Sequence, residues 1–285
     1  MKKILITGGN GQLGNCLRKL VPKYNQYDFN FTETHVLDIT NKDKIEKIFA
    51  EYQPDFVINA AAYTAVDLAE QEAEKAFAVN ADGVANLAEA CAENDAVLIH
   101  ISTDYVFDGE TNLPYSEDDF TNPINIYGES KRKGEISALD INHKTVIIRT
   151  SWLYSEFNKN FVKTMLHLFS VKDELGIVAD QFGQPTNAND LAEAIMEIID
   201  SEVLVFGIYH FSNFPETNWF SFAEKIKEFS NSEIKLKPIA TEDFPTPAKR
   251  PKRSTMSLDK IEKDYKIELK YWENSLKNCI ELITE

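Results

Sequence analysis

The chain has 285 residues, of which 43% are hydrophobic and 27% are charged, proportions that are ordinary for a soluble globular protein. Its formal net charge of −16 excludes general affinity for nucleic acid or anionic membranes, because both need a cationic surface. The cysteines, Cys16, Cys91 and Cys279, are not closely spaced and predict neither a disulfide framework nor a zinc site. With an N-terminal apolar run too short for a secretion signal and no run long enough to span a bilayer, we expect a cytoplasmic protein.

The first half of the chain alternates short apolar runs with helical stretches. The predicted elements are a strand at 3–7, a glycine turn and helix to about 21, a strand at 28–32, a helix ending near 52, a strand at 55–59, an alanine-rich helix from about 69 to 94, a strand at 97–102, a helix around 127–131 and a strand at 145–149. Such alternation implies crossover connections, so we predict a doubly wound parallel α/β sheet.

After residue 151 the alternation becomes less regular. A helix at 160–169, a strand at 175–178, a helix at 190–200 and a strand at 207–211 precede a proline-rich remainder that ends in an amphipathic helix at 273–283. We therefore expect a cofactor-binding domain at 1–151, to which about 187–211 return. Residues 152–186 and 212–285 would form a smaller substrate-binding lobe.

A glycine-rich loop follows the first strand. Gly8, Gly11 and Gly14 allow a tight turn and a close approach of the backbone to a pyrophosphate at the helix N-terminus. The pattern G-x-G-x-x-G is also satisfied by Gly9, Gly11 and Gly14. A plain turn is the alternative, but the first strand–helix junction of a repeating pattern is the context that the motif requires. The loop predicts dinucleotide binding.

The end of the second strand bears on the choice of coenzyme. An acidic side chain there, about 20 residues after the loop, usually holds the adenosine ribose of NAD. Here Thr32 ends the predicted strand and Glu33 follows it. Without an acid at Thr32 the 2′-phosphate of NADPH is not repelled, yet no arginine is placed there to bind it. NADPH is favoured, and NADH is left open.

Tyr127 and Lys131 are four residues apart and share one face of the predicted helix. A free tyrosine, with a pKa of roughly 10, is a poor acid or base near neutrality, and a neighbouring cation lowers that pKa. A surface tyrosine packed on a lysine stem would give the same spacing. Together with the glycine loop and the segment 102–105, however, the pair predicts a reductase.

These motifs resemble the extended short-chain dehydrogenases, over nearly the whole chain. The matching segments are 8–14, 37–40, 59–67, Asn80, 102–109, 127–131, 149–152, 180–186 and 250–251. The resemblance implies a Rossmann-type domain with a small C-terminal substrate lobe. It also implies NAD(P)H-dependent reduction of the C4 ketone of dTDP-4-dehydro-L-rhamnose to dTDP-L-rhamnose.

The resemblance assigns roles to individual residues. Tyr127 would donate a proton to the carbonyl oxygen, Lys131 would lower the pKa of Tyr127 and hold the nicotinamide ribose, and Thr103 would hydrogen-bond that oxygen. The implied cofactor-binding residues are Gly8, Gly11, Gln12, Leu13, Gly14, Asp38, Ile39, Ala60, Ala61, Ala62, Tyr63, Asn80, Tyr127 and Lys131. The implied substrate-binding residues are Val66, Thr103, Asp104, Tyr105, Trp152, Thr186 and Arg250.

Several of these residues have a plainer interpretation. Asp38 could cap the next helix, although Thr40 or Asn41 could also be its N-cap residue. Asn80 could be an ordinary surface asparagine, and Trp152 could fill the core. Arg250 belongs to a basic cluster, 249–253. This cluster is either solvated or able to bind the diphosphate of a nucleotide sugar.

Dehydratases among the sugar-nucleotide relatives carry Asp-Glu after the corresponding threonine, whereas this chain has Asp104-Tyr105. Without the second carboxylate an elimination lacks its base, so we exclude a dehydratase. Three alternatives stay open: a ketoreductase for another nucleotide sugar, an epimerase, and a non-catalytic homologue similar to the β subunit of methionine adenosyltransferase.

No metal site is predicted. The histidines form no HExxH pair, and His100, inside a strand, is interpreted as a packed core residue. Some family members are described with a magnesium-bridged dimer that uses a glutamate early in the first helix, where this chain has Cys16. We expect a monomer or a homodimer whose partner molecule is its nucleotide-sugar substrate.

Overall fold

A computed structural model describes residues 1–284 of the chain. Its strands are β1 (Lys2–Thr7), β2 (Tyr27–Phe31), β3 (Phe56–Asn59), β4 (Val97–Thr103), β5 (Thr145–Thr150), β6 (Leu153–Tyr154), β7 (Glu174–Val178), β8 (Phe182–Gly183), β9 (Thr186–Asn187), β10 (Gly207–His210), β11 (Thr217–Asn218) and β12 (Lys235–Ile239). Within residues 1–284, six parallel strands form the central sheet in the order β10-β5-β4-β3-β1-β2. The smaller pairs are β11-β8, β12-β7 and β6-β9.

Helices connect and flank these strands. They are α1 (Gln12–Leu20), α2 (Lys42–Tyr52), α3 (Val66–Ala69), α4 (Ala73–Phe77), α5 (Gly83–Glu93), α6 (Ile126–Ile141), α7 (Phe161–Val171), α8 (Ala188–Asp200), α9 (Trp219–Phe229), α10 (Asp259–Tyr265) and α11 (Trp272–Thr284). A π-helical turn spans Ala78–Asp82, and 3₁₀ turns span Asp104–Val106 and Thr241–Asp243.

Helices cover both faces of the sheet, which confirms the predicted doubly wound, Rossmann-type α/β fold. One face packs against α1, α8 and α10 through residues such as Leu17, Ile195 and Ile261. The other face packs against α2, α5 and α6, where Phe49 and Leu87 are buried. Because β1 lies between β2 and β3, the winding direction reverses there, and a crevice opens at the carboxyl ends of these strands.

A third apolar cluster lies outside the sheet. It joins α7, α9 and α11 to β7, with Val162, Phe222 and Leu276 fully buried. The strand β10 and the helix α8 pack with the sheet. The division into two domains stays a prediction, and residue 285, the last of the predicted lobe, lies outside the described residues.

Two predictions about the elements were incomplete. The alanine-rich stretch is not one helix, because the chain leaves helical geometry at Glu72 (φ −114°) and then widens into the π-helical turn before α5. In the proline-rich remainder we missed α9, β12 and α10. Pro238 lies inside β12, where it is tolerated because that strand pairs only with β7.

Candidate active site

A cleft of about 530 Å³ lies at the carboxyl ends of the central strands. Predicted site residues that line it are Gly11, Gln12, Leu13, Gly14, Ala60, Ala62, Val66, Thr103, Asp104, Tyr105, Tyr127, Lys131 and Trp152. Segments far apart in sequence thus meet where open parallel sheets bind ligands.

The glycine loop forms one end of this cleft. Gly8 has φ +66°, and a Cβ there would lie 2.8 Å from the Ala60 carbonyl group, so only glycine lets the loop abut the end of β3. The helix α1 begins at Gly11, where no side chain of the described residues caps it, and its first turn contains no acid. Its first N–H groups are therefore available to an anion. This arrangement fits the pyrophosphate of a dinucleotide.

Tyr127 stands in the first turn of α6. The turn is fixed by Asn125, whose side chain accepts a hydrogen bond from the backbone N–H of Gly128 at 2.8 Å. The half-buried phenol packs edge-to-face on Tyr105, with ring centroids 5.8 Å apart. Burial raises the pKa of Tyr127 to about 12, although the Thr103 hydroxyl opposes this shift. Near neutrality the phenol is protonated and can serve as a proton donor.

Lys131 lies one turn further along α6 and is only 2% exposed. Its ammonium group donates to the Ile101 carbonyl oxygen at 2.6 Å and lies 3.3 Å from Nε2 of His100. Burial lowers the pKa of Lys131 to about 8, against the opposing effect of the Glu135 carboxylate. An ammonium group has three protons, so one is left for the cleft that this side chain lines.

The expected lowering of the Tyr127 pKa by Lys131 is not seen. Burial, the Thr103 hydroxyl and the Asp104 carboxylate set that pKa, in this order of size. The physical reason is that the ammonium group of Lys131 is directed to the Ile101 carbonyl and His100.

His100 contacts the predicted catalytic lysine, which the sequence did not reveal. The residue is fully buried, as expected of a core residue, and its Nδ1 lies 3.0 Å from the Asn59 side chain. Burial holds the pKa of His100 well below its ordinary value, so the ring is neutral and its Nε2 can accept a hydrogen bond from the Lys131 ammonium group. The alternation of side chains along β4 indicates which face of the sheet His100 occupies. It does not indicate which helix covers that face.

Asp104 follows Thr103 at the end of β4 and is 2% exposed. The Thr103 hydroxyl donates to its carboxylate at 3.0 Å. Burial raises the pKa of Asp104 to about 6, with the nearby Ser254 and Thr103 hydroxyls opposing the shift. The Thr103 hydroxyl is therefore hydrogen-bonded to a carboxyl group whose pKa lies well above that of a free aspartate.

Asn80 lies behind the cleft wall. Its Oδ1 accepts from the backbone N–H of Tyr63 at 2.8 Å, and its Nδ2 donates to the Tyr63 carbonyl and to Ser130 Oγ, both at 3.0 Å. The fully buried amide thus joins the loop after β3 to α6. It is not a surface asparagine.

Asp38 and Ile39 lie beyond the cleft, after β2. Asp38 accepts from the backbone N–H of Thr40 at 3.0 Å, whereas the cap of α2 is Asn41, which accepts from Lys44 at 3.1 Å. The alternative that Asp38 caps this helix is therefore wrong. Ile39 is 3% exposed and packs in the core beneath α5, so contact with an adenine is left as a prediction.

Thr186 and Arg250 also lie outside the cleft lining. Thr186 is fully buried and accepts from Thr150 Oγ1 at 3.1 Å. Arg250 pairs through two nitrogens with Asp67, at 2.8 and 2.9 Å, and lines a neighbouring apolar cavity of about 300 Å³. Its charge is thus already compensated by a carboxylate.

Trp152 forms the opposite wall together with Trp219, which the sequence analysis missed. The two rings stack with centroids 3.6 Å apart and planes inclined by 11°, and both line the cleft. Trp152 has φ +48°, and a Cβ on Gly183 would lie 2.8 Å from its ring. Trp219 begins α9, an element that the proline-rich sequence around it concealed.

Residues 1–285 match the family model for the RmlD substrate binding domain. The chain belongs to this family. A dTDP-4-dehydrorhamnose reductase of Aggregatibacter actinomycetemcomitans is 42% identical, with 98% of each chain covered. These matches confirm that the resemblance to extended short-chain dehydrogenases was correct.

Solved structures of the RmlD family agree. A dTDP-4-dehydrorhamnose reductase from Clostridium acetobutylicum is 41% identical and covers 99% of this chain and 100% of its own, with a TM-score of 0.96. A dTDP-4-dehydrorhamnose reductase from Bacillus anthracis, in complex with NADP, is 39% identical over 99% and 100% of the two chains, with a TM-score of 0.95.

In residues 1–284 of our chain, no helix has the length and apolarity to cross a membrane.

Proposed function

We propose that this chain reduces the C4 ketone of dTDP-4-dehydro-L-rhamnose to dTDP-L-rhamnose, with NADPH favoured over NADH as the coenzyme. One observation carries the proposal: Thr103, Tyr127 and Lys131 line the same cleft as the glycine loop. The relatives that carry this enzyme's name align over nearly their full length, including the one solved with NADP.

The residues present fit a nicotinamide dinucleotide. The N–H groups at the start of α1 would hold its pyrophosphate, the segment 60–63 would line its middle, and Lys131 would meet the nicotinamide ribose. When bound, the reduced coenzyme supplies the hydride. The predicted contacts of Asp38, Ile39 and Asn80 with the coenzyme belong to this proposal, with Asn80 acting through the Tyr63 backbone.

Tyr127 would donate the proton. Because burial raises its pKa to about 12, the phenol is protonated throughout the neutral range. The Thr103 hydroxyl, which donates to Asp104 in the structure, would turn to donate its hydrogen bond to the same substrate oxygen and stabilise the negative charge that develops there. After proton transfer, the Lys131 ammonium group would stabilise the phenolate, for which it has to turn from the Ile101 carbonyl and His100 toward Tyr127.

Substrate binding would fall to Val66, Tyr105 and the Trp152–Trp219 wall, with Arg250 and Thr186 supporting the wall from behind. Residues 1–151 and 187–211 would then bind coenzyme, and 152–186 and 212–285 would bind the nucleotide sugar.

We place the enzyme in the cytoplasm, as a monomer or homodimer. The described structure supports a reducing compartment, since Cys16, Cys91 and Cys279 are free and buried.

The test is a spectrophotometric assay of purified protein with dTDP-4-dehydro-L-rhamnose and either coenzyme, with Tyr127→Phe as the control. We expect absorbance at the reduced-coenzyme band to fall with the natural chain and to stay constant with the variant. Normal coenzyme binding without any turnover would instead support a non-catalytic homologue. Turnover only with another nucleotide sugar would support a different ketoreductase or an epimerase.

A further inference from the structure

We propose that Arg18 binds the 2′-phosphate of NADPH and makes this chain distinguish NADPH from NADH. The proposal rests on the coenzyme part of the function proposed above. It assigns a role to a residue outside every motif of the sequence analysis, which found no arginine at the end of the second strand. Arg18 reaches that point from α1.

The adenosine end of the crevice is defined by the contact between the glycine loop and β2. The backbone N–H of Gly9 donates to the Thr32 carbonyl at 2.8 Å, so the loop lies against the end of that strand. Thr32 is turned inward, 1% exposed, with its hydroxyl donating to the Ile6 carbonyl at 3.0 Å. The strand end therefore does not present the acidic side chain that typically binds the ribose of NAD.

The guanidinium group of Arg18 occupies this corner. Its central carbon lies 4.2 Å from the centroid of the Phe31 ring, at the end of β2, and its Nη2 donates to the Gly9 carbonyl at 3.4 Å. A guanidinium group over the face of an aromatic ring is held there by a cation–π interaction, and the single hydrogen bond to Gly9 leaves other donors free. Guanidinium groups can bind a phosphate through two parallel hydrogen bonds.

The charge around Arg18 also points to an anion. The side chain is exposed, and among residues 1–284 no carboxylate lies within 4 Å of it, in a chain with 46 acidic residues. By contrast, its neighbour Lys19 is paired with Glu156 at 2.5 Å. Glu33, the acid that follows Thr32, lies 3.3 Å from His35. Arg18 thus keeps an uncompensated positive charge where the adenosine ribose would lie.

The experiment measures binding, not turnover, in the full chain. Isothermal titration with 2′,5′-ADP and with 5′-ADP compares two probes that differ in the position of one phosphate group. The natural chain should bind 2′,5′-ADP more tightly. The Arg18→Gln variant should lose roughly ten- to a hundredfold in affinity for 2′,5′-ADP, the loss of charge-assisted hydrogen bonds, while its affinity for 5′-ADP changes less than about twofold.

Lys23→Gln is the matched control, because it removes one exposed positive charge just beyond the same helix. It should leave both affinities unchanged. The proposal is overturned if the natural chain binds both probes equally, if Arg18→Gln weakens both to the same extent, or if Lys23→Gln has the same effect as Arg18→Gln. Since neither probe carries a nicotinamide, a chain that discriminates them but reduces no sugar would contradict the proposed function alone.

Discussion

The two walls of the cleft differ in how their side chains are held. Behind the wall formed by β4 and α6, Arg149 of β5 and Glu135 of α6 form a bidentate ion pair at 2.8 and 2.9 Å and are 1% and 0% exposed. On the opposite wall, stacked indoles face the cleft, and the ion pair Asp67–Arg250, which lies outside the cleft lining, is partly solvated. The first side thus keeps its charges in buried hydrogen bonds, while the second presents partly exposed aromatic and charged groups.

The largest effect should come from removing the proton donor on the buried wall. Tyr127→Phe keeps the edge-to-face packing on Tyr105 but removes the hydroxyl, so kcat should fall on the order of a thousandfold. Coenzyme affinity, measured by the fluorescence of bound NADPH, should stay within about twofold. A variant that retained a tenth of the natural kcat would show that the proton comes from another group.

The ion pairs of the two walls should differ in their effect on stability. Glu135→Gln leaves the Arg149 charge buried without its partner, so the free energy of unfolding in urea should fall by about 3–5 kcal/mol. Asp67→Asn breaks a pair whose side chains are 43% and 21% exposed, so the loss should be about 1 kcal/mol or less. Equal losses would remove the distinction between the walls.

The pH dependence should report the environment of Lys131. Its pKa is lowered to about 8, so the fraction with a charged ammonium group, and with it kcat, should decline as pH rises above that value. His100→Leu removes one acceptor of the charged form, which should move this decline to lower pH and reduce kcat by about tenfold.

His100→Gln is the control, because its side-chain carbonyl can replace the lost acceptor and should restore much of both quantities. If the decline of kcat at high pH does not move in His100→Leu, the imidazole contributes only to packing.

The smallest effect should come from the aromatic wall. Trp219→Leu removes the stacking partner of Trp152, which should raise the KM for the nucleotide sugar several-fold, since an aromatic pair contributes about 0.5–1.5 kcal/mol. The kcat should change less than about twofold. A large fall in kcat with unchanged KM would mean that this wall also holds the reacting atoms.

The sequence predicted the parts of the fold that depend on local pattern. The parallel sheet follows from apolar runs such as 97–102, and the helix around 127–131 was expected from the spacing of Tyr127 and Lys131. The lobe was less predictable because its elements, such as β12 with its internal proline, are stabilised by distant partners. Local propensity does not encode those partners.

The candidate site likewise has features that local sequence patterns predict and features that depend on distant partners. Motif residues such as Thr103 and Tyr127 were found from spacing, and the structure places both in the cleft. The contact of His100 with Lys131 joins residues that are 31 positions apart, and that of Arg18 with Phe31 joins residues 13 positions apart. Because each contact links two different elements, no pattern within one element reveals it. The expected effect of Lys131 on the Tyr127 pKa is absent from the described structure, because a shared helix face does not determine which acceptor an ammonium group selects.

The Asn80 amide has a mechanical consequence. It ties the Tyr63 backbone, in the loop after β3, to Ser130 in the middle of the helix that carries Tyr127 and Lys131. The loop proposed to line the coenzyme and the helix proposed to deliver the proton are therefore cross-linked by one buried side chain. An Asn80→Ala variant would lose this cross-link without losing any group that is proposed to touch the substrate.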